Sequence, residues 1–264
     1  MAGTTTAERG ESRRESSGPP PAGRFRPPRL RTIIISVAGL LLATGAALWL
    51  LYGSHWLRVE RVSVSGTRVL TPAEVREAAG VPLGDPLVSV DTGAIAERLG
   101  RELPRIRTVD VERSWPDGIG LKVTERTPVL VVRKGAEFVE VDDEGVRYAT
   151  VPRAPKGVPV LRLEPARSGP AAASVRRFGE DRLVREAVRV ARRIPKPVAR
   201  VTGEVAVRSY DDIALELTDG RTVTWGSGEL GEDKARVLTA LMKAAPDARH
   251  FDVSVPTAPA SSAS

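Results

Sequence analysis

The longest apolar run, Ile33 to Leu51 (IIISVAGLLLATGAALWLL), holds nineteen residues with neither charge nor proline. As a helix rising about 1.5 Å per residue it spans roughly 28 Å, close to the hydrocarbon thickness of a bilayer. A core helix of a soluble protein would carry a polar stripe, and this run offers only Ser36 and Thr44. The pattern predicts a membrane-spanning helix over 32–52. The alternative is a cleaved signal peptide, with small residues at Ala43–Ala47 mimicking a cleavage site. Against it, Leu48–Leu51 continue the apolar run, and the basic region before the run is far longer than a signal n-region.

Beyond the run the period changes. Val62 and Val64 alternate with Ser63 and Ser65 up to Gly66, a strand with one buried face. Thr71-Pro72-Ala73-Glu74 has the residues of a capping box with proline in the first turn, and Gly80 suits the stop. Asp91 can cap a second helix, on which Ile95, Leu99 and Leu103 recur every four residues before Pro104 closes it. Ile106, Val109 and Val111 predict a strand; Ile119, Leu121 and Val123 predict its return. Between them Trp115-Pro116-Asp117-Gly118 supplies turn chemistry, with Gly118 tolerating positive φ. Trp115 is expected to anchor this hairpin to the core. The order is β-α-α-β-β over 57–126.

A second domain is expected over 127–255. Val129–Val132, Phe138–Val141 and Arg147–Thr150 read as strands around the turn Asp143-Glu144-Gly145. Residues 152–170 hold five prolines and read as an irregular connection that tolerates change, with a short apolar segment, Val160–Leu163, inside it. Arg182–Ile194 is an amphipathic helix stopped by Pro195 and Pro197. Strands at Val201–Val207, Ile213–Leu217 and Thr222–Trp225 precede a last helix, Glu232–Ala244, and a terminal strand on which Phe251, Val253 and Val255 alternate. Residues 1–31, with Gly18-Pro19-Pro20-Pro21, and 256–264 (PTAPASSAS) lack apolar periodicity and are expected to be disordered. The fold class is α+β: one transmembrane helix, a β-α-α-β-β domain, and a distal mixed α/β domain with an antiparallel-type sheet.

Charge changes the picture less than its total suggests. The net charge of +7 would ordinarily point to nucleic acid, but +4 of it sits in residues 1–52 and the remaining 212 residues are nearly balanced. Arg24, Arg26, Arg29 and Arg31 precede the apolar run with no acid among them, so the positive-inside rule predicts a cytoplasmic N-terminus and an exported remainder. Trp49, Tyr52 and Trp56 fall where an interfacial aromatic belt would lie. The preference for Arg over Lys is the habit of a GC-rich genome. Cysteine is absent and only His55 and His250 are present, which removes disulfides, thiolate metal sites and most triad chemistry. Gly226-Ser227-Gly228 lacks the spacing of a nucleophile elbow. Asp142-Asp143-Glu144 is too tight for a calcium loop. The reading is a protein without catalysis, cofactor, metal, nucleic acid or small-molecule substrate, which must act by binding.

Five pieces stand in a fixed order behind the single anchor: Val62-x-Val64-x-Gly66, Pro82-Leu83, Leu103-Pro104, Arg113-x-Trp115-Pro116 and Glu125-Arg126-x-Pro128. Together with Val223-x-Trp225-Gly226, Lys234, Leu238, Leu241 and Phe251-Asp252-Val253, they resemble the FtsQ/DivIB family of bacterial cell-division proteins, of actinobacterial type, over about residues 24–255. The resemblance implies a POTRA domain at 57–126 and a distal β-domain. On this reading Gly66, Pro104, Arg113, Trp115, Pro116, Glu125, Arg126 and Pro128 are structural, Glu125 and Arg126 forming at most a weak surface pair.

The same resemblance implies a divisome scaffold, single-pass type II in the cell membrane and enriched at the septum. Its partners would be FtsB/FtsL-type proteins, with FtsW/FtsI-type proteins also admitted, and the bilayer itself. In that family the region around the last strand recruits FtsB, so Phe251, Asp252, Val253, Ser254 and Val255 are expected to form an exposed edge for a partner's extended segment. Ser254 and Val255 depart from the larger or charged residues of better-known members. The alternative function is a POTRA protein handling polypeptides in secretion or envelope assembly; such proteins repeat the module and append a barrel, which this sequence does not.

Overall fold

The computed structural model describes residues 30–164 and 179–263, so the tail expected over 1–31 falls almost wholly outside the described residues. The apolar run forms α1, Leu30–Gly53, a 24-residue helix with no buried side chain. It is the one helix among the described residues that is long and apolar enough to cross a membrane. Its Thr44 hydroxyl donates to the Leu40 carbonyl at 2.8 Å, which satisfies a polar group that lipid cannot. The residues from Leu51 onward form a separate unit.

That unit has two apolar cores, one for each sheet. In the first, β1 (Arg61–Ser65) leads to α2 (Pro72–Ala79), α3 (Thr92–Glu102), β2 (Ile106–Ser114) and β3 (Gly118–Glu125). The capping box is complete: the Thr71 hydroxyl accepts from Glu74 N at 3.2 Å, and the Glu74 carboxylate accepts from Thr71 N at 2.7 Å. Gly80 ends α2 in the left-handed region, and Asp91 caps α3 through the Ala94 amide at 3.0 Å. Val75 and Ala79 of α2 and Ile95 and Leu99 of α3 bury themselves against Ile119, Leu121 and Val123 of β3. The central strand β3 pairs parallel with β1 and antiparallel with β2.

The second core lies under a nine-stranded mixed sheet ordered β12-β11-β10-β9-β8-β7-β4-β5-β6. Its strands are β4 (Leu130–Lys134), β5 (Glu137–Val141), β6 (Arg147–Val151), β7 (Val160–Leu163), β8 (Thr202–Val207), β9 (Ile213–Leu217), β10 (Thr222–Thr224), β11 (His250–Asp252) and β12 (Ala260–Ser262). Its helices among the described residues are α4 (Glu180–Arg193), the short α5 (Lys196–Ala199) and α6 (Gly231–Ala244). Leu183, Ala187 and Val190 of α4 and Leu238 of α6 pack with Leu215, Val223, Trp225 and Phe251. The sheet's antiparallel pairings are joined by parallel ones at β4–β7, β7–β8 and β10–β11.

Gly118 opens β3 without positive φ; an added Cβ there would lie 3.2 Å from the Ser114 carbonyl oxygen, so space rather than dihedral favours glycine. Three expectations change. Trp115 is exposed at the hairpin tip and anchors nothing to the core. Val160–Leu163 is not part of a tolerant loop: it is an interior strand between β4 and β8, with Leu161 buried, because a parallel sheet position needs only a short apolar run. The tail expected to be disordered after Pro256 instead returns as β12, antiparallel to β11, since main-chain hydrogen bonding needs no apolar pattern.

The position of β7 predicts a sharp contrast within one proline-rich stretch. Leu161→Ala should destabilise the protein by about 2–5 kcal/mol, whereas Lys156→Ala, on the exposed turn before β7, should stay within about 0.5 kcal/mol. Denaturant unfolding of the two variants measures both.

Candidate partner-binding site

The five residues expected to form an edge divide between core and surface. Phe251 lies in β11, which pairs parallel with β10 on one side and antiparallel with β12 on the other, so β11 is interior to the sheet. Phe251 and Val253 are buried, and Val253 N donates to the Thr224 carbonyl at 3.0 Å. The Asp252 carboxylate accepts from Ser254 N at 2.9 Å and from the Ser254 hydroxyl at 2.7 Å, a local turn that ends the strand. Only Val255 is an exposed large apolar side chain. The expectation that 251–255 is itself the edge therefore fails. The edge at this end of the sheet is β12, all three of whose residues are exposed.

The loop before α6 is fixed to this end of the sheet by two buried charges. The Lys234 ammonium donates to the carbonyls of Trp225 at 3.0 Å and Ser227 at 2.9 Å. Glu186 of α4, also buried, accepts from Gly228 N at 2.7 Å. Burial pushes the Lys234 ammonium below its ordinary pKa, and Glu229, Glu186 and Asp252 act against that shift. Gly226, at φ +76°, passes so close to Ser254 that a Cβ would meet its side chain at 3.0 Å. Burial of Lys234 is invisible to apolar patterning; its place beside the Trp-Gly motif is the only signal the sequence offers.

The motif residues of the POTRA domain have sharper roles than expected. Gly66 sits at φ +85°, where an added Cβ would lie 2.0 Å from the Val123 carbonyl oxygen, so no other residue fits. Arg113 donates to the carbonyls of Leu87 at 3.1 Å and Val90 at 2.7 Å, tying β2 to the turn between the helices. Pro104 follows α3 and Pro128 lies between β3 and β4; Trp115 and Pro116 form the exposed hairpin tip, joined by a cis peptide. Glu125 and Arg126 are not a pair. The Glu125 carboxylate accepts from the successive amides of Arg68, Val69 and Leu70 at 2.8–3.1 Å.

Arg126 belongs instead to a junction that sequence reading missed. Its guanidinium pairs with Asp142, whose side chain is almost wholly buried, and its backbone amide donates to the Arg105 carbonyl at 2.8 Å. Arg105 reaches Glu140 at 2.8 Å and lies over the Tyr148 ring, 5.3 Å from its centroid. Arg107 holds Asp143 at 2.9 Å and Glu144 at 2.8 Å. Burial and the neighbouring Glu140 carboxylate raise the Tyr148 hydroxyl above its ordinary pKa. Burial opposes ionisation of Asp142, yet hydrogen bonds from the Val146 amide, Arg126 and the Glu144 amide hold its carboxyl below the usual range. Three arginines of the β2–β3 region thus grip four acids of β5 and its turn. Among the described residues no cluster of His, Asp and Glu is arranged to hold a metal ion.

A family model described as POTRA domain, FtsQ-type, matches residues 57–126. The chain is 74% identical over 264 residues to the cell division protein FtsQ of Streptomyces coelicolor, covering all of both chains. It is 70% identical to that of Streptomyces collinus, again over the full length of both. It is 33% identical to that of Mycolicibacterium smegmatis, over 94% of this chain and 73% of that protein. A solved structure of the major extracytoplasmic domain of the cell-division protein DivIB from Geobacillus stearothermophilus aligns with 46% of this chain and 94% of its own, at 19% identity and a TM-score of 0.32. Together with these relatives, an apolar N-terminal helix long enough for a membrane anchor, a POTRA domain and a sheet-based second domain define a protein of the cell-division machinery. The chain belongs to the FtsQ family of cell-division proteins.

The junction sets a pH dependence. The Asp142 pKa lies below its ordinary 3.8 in the folded chain, so its contribution to stability is present at neutral pH and lost as pH falls through that depressed value. Asp142→Asn should cost on the order of 2 kcal/mol at pH 7, and the gap from the parent should narrow in acid. Unfolding free energies of both proteins from pH 7 down to pH 3 give the comparison.

Proposed function

We propose that this protein acts without catalysis, as a scaffold whose distal sheet takes up an extended segment of another division protein. The supporting observation is the one-sided pairing of β12, which leaves a row of main-chain donors and acceptors at the sheet end. A partner strand adding there gains main-chain hydrogen bonds, with alternate side chains setting specificity. Exposed Val255 and the small side chains of Ala260–Ser262 leave room for the partner's own apolar residues. The partners in this reading are FtsB/FtsL-type membrane proteins, with FtsW/FtsI-type proteins in contact elsewhere. Arg24, Arg26, Arg29 and Arg31, before and at the start of α1 with no acid among them, favour a cytoplasmic N-terminus and a single-pass type II orientation. The protein then concentrates at the septum.

Site-specific photocrosslinking tests the edge. A crosslinking residue at Ser261 or Val255 should yield adducts with other division membrane proteins in dividing cells. The same residue at Thr150, on the opposite edge strand β6, should not. Absence of adducts at Ser261 and Val255, or equal adducts at Thr150, would sink the edge assignment. Depletion separates the functional classes: a division role gives undivided, septum-poor cells, and a secretion role gives export defects with normal septation.

A further inference from the structure

Apart from Val69, which lies by Glu125 at the other end, three large apolar side chains on the POTRA domain or just ahead of it, Trp56, Leu83 and Trp115, stand 83%, 66% and 54% exposed. They belong to three separate segments, and the backbone brings these segments together. The Arg58 guanidinium donates to the Gly84 carbonyl at 2.6 Å, Gly84 N donates to the Val59 carbonyl at 2.8 Å, and Val59 N donates to the Asp85 carbonyl at 2.9 Å. These bonds hold the Leu83 loop beside the segment that leaves α1. The hairpin tip is fixed to the same segment, because Glu60 N donates to the Asp117 carbonyl at 2.8 Å and Arg61 pairs with the Asp117 carboxylate. Leu83 and Trp115 therefore sit at the end of the domain where the chain enters it.

Chain length places that end without reference to domain orientation. Trp56 follows the last residue of α1, Gly53, by three positions, so it lies within about 11 Å of the helix end. Tryptophan at that depth prefers the headgroup region, where its ring is half apolar and its N–H finds a partner. The opposite end of the domain is taken: β3 runs from Gly118, paired with Arg61, to Glu125, beside the arginine junction. No apolar core or partner strand accounts for exposed Leu83 and Trp115, and the resemblance treats them only as fold markers.

We propose that the Leu83 loop and the Trp115-Pro116 hairpin tip dip into the membrane interface, so that lipid covers the end of the POTRA domain where the chain enters it. The occupant of this surface is lipid: a phospholipid headgroup layer meeting two apolar tips, with Arg58 and His55 alongside. β3, eight residues long, then acts as a spacer of about 23 Å between the lipid and the junction.

The absence of cysteine makes a clean test, because single cysteines can be placed at will. The full chain carrying Leu83→Cys, Trp115→Cys or Lys156→Cys is labelled with an environment-sensitive fluorophore. It is then reconstituted in vesicles of phosphatidylcholine and phosphatidylglycerol. Labels at 83 and 115 should be quenched by doxyl lipid several-fold more than the label at 156, and shielded from aqueous iodide. Trp56→Cys serves as the insertion control, since chain reach puts it near lipid in either case. If the label at 56 reports lipid while those at 83 and 115 match the label at 156, the proposal is overturned. A label at 56 that reports no lipid would overturn it too, by removing the membrane insertion on which it rests.

Discussion

A buried carboxylate with an arginine beside it decides how the POTRA domain and the distal domain behave. Domains of this size joined by a short linker ordinarily move against each other. Here the turn after β5 cannot release Asp142 from Arg126 without leaving a buried carboxylate short of its cationic partner, an outcome that costs on the order of 2 kcal/mol. Arg105 and Arg107 repeat the constraint on either side, each with its own acid. The linker at Thr127-Pro128 is therefore spanned by ionic contacts from residues before it to residues after it.

Much of the fold was legible because its signals are local. The capping box at Thr71, the Asp91 cap and the alternation in β3 all rest on residues within a few positions of each other, and each forms as read. The failures share a cause: they lie where a distant part of the chain decides. β7 looks like a fragment of loop until β4 and β8 flank it. β12 has no apolar pattern at all, and only the free side of β11 makes Ala260–Ser262 a strand.

The site was less legible than the fold. Alternation at Phe251 and Val253 correctly marks a buried face, but burial of side chains says nothing about which strand has an unpaired side. Sheet order is a property of pairings between remote segments, so edge and interior strands look alike in sequence. The junction was harder still. Arg126 and Glu125 are neighbours of opposite charge, which suggests a surface pair, and only the fold turns one toward Asp142 and the other toward the amides of Arg68–Leu70. Lys234 is the same lesson in reverse: a charge on an otherwise apolar helix face that earns its burial through two carbonyls at hydrogen-bond distance.

The order of strands across the larger sheet has a consequence for how it is made. From β7 to β12 neighbours in space are neighbours in chain order, so a chain emerging from its N-terminal end lays down each strand against one already in place. Such a sheet grows by accretion, and its newest strand is always its open border. The nascent protein thus passes through a succession of unprotected borders, at β8, β9, β10 and β11 in turn, before the last is covered. Errors of pairing with foreign strands are concentrated in that interval, and a slow step in the chain's delivery would lengthen it.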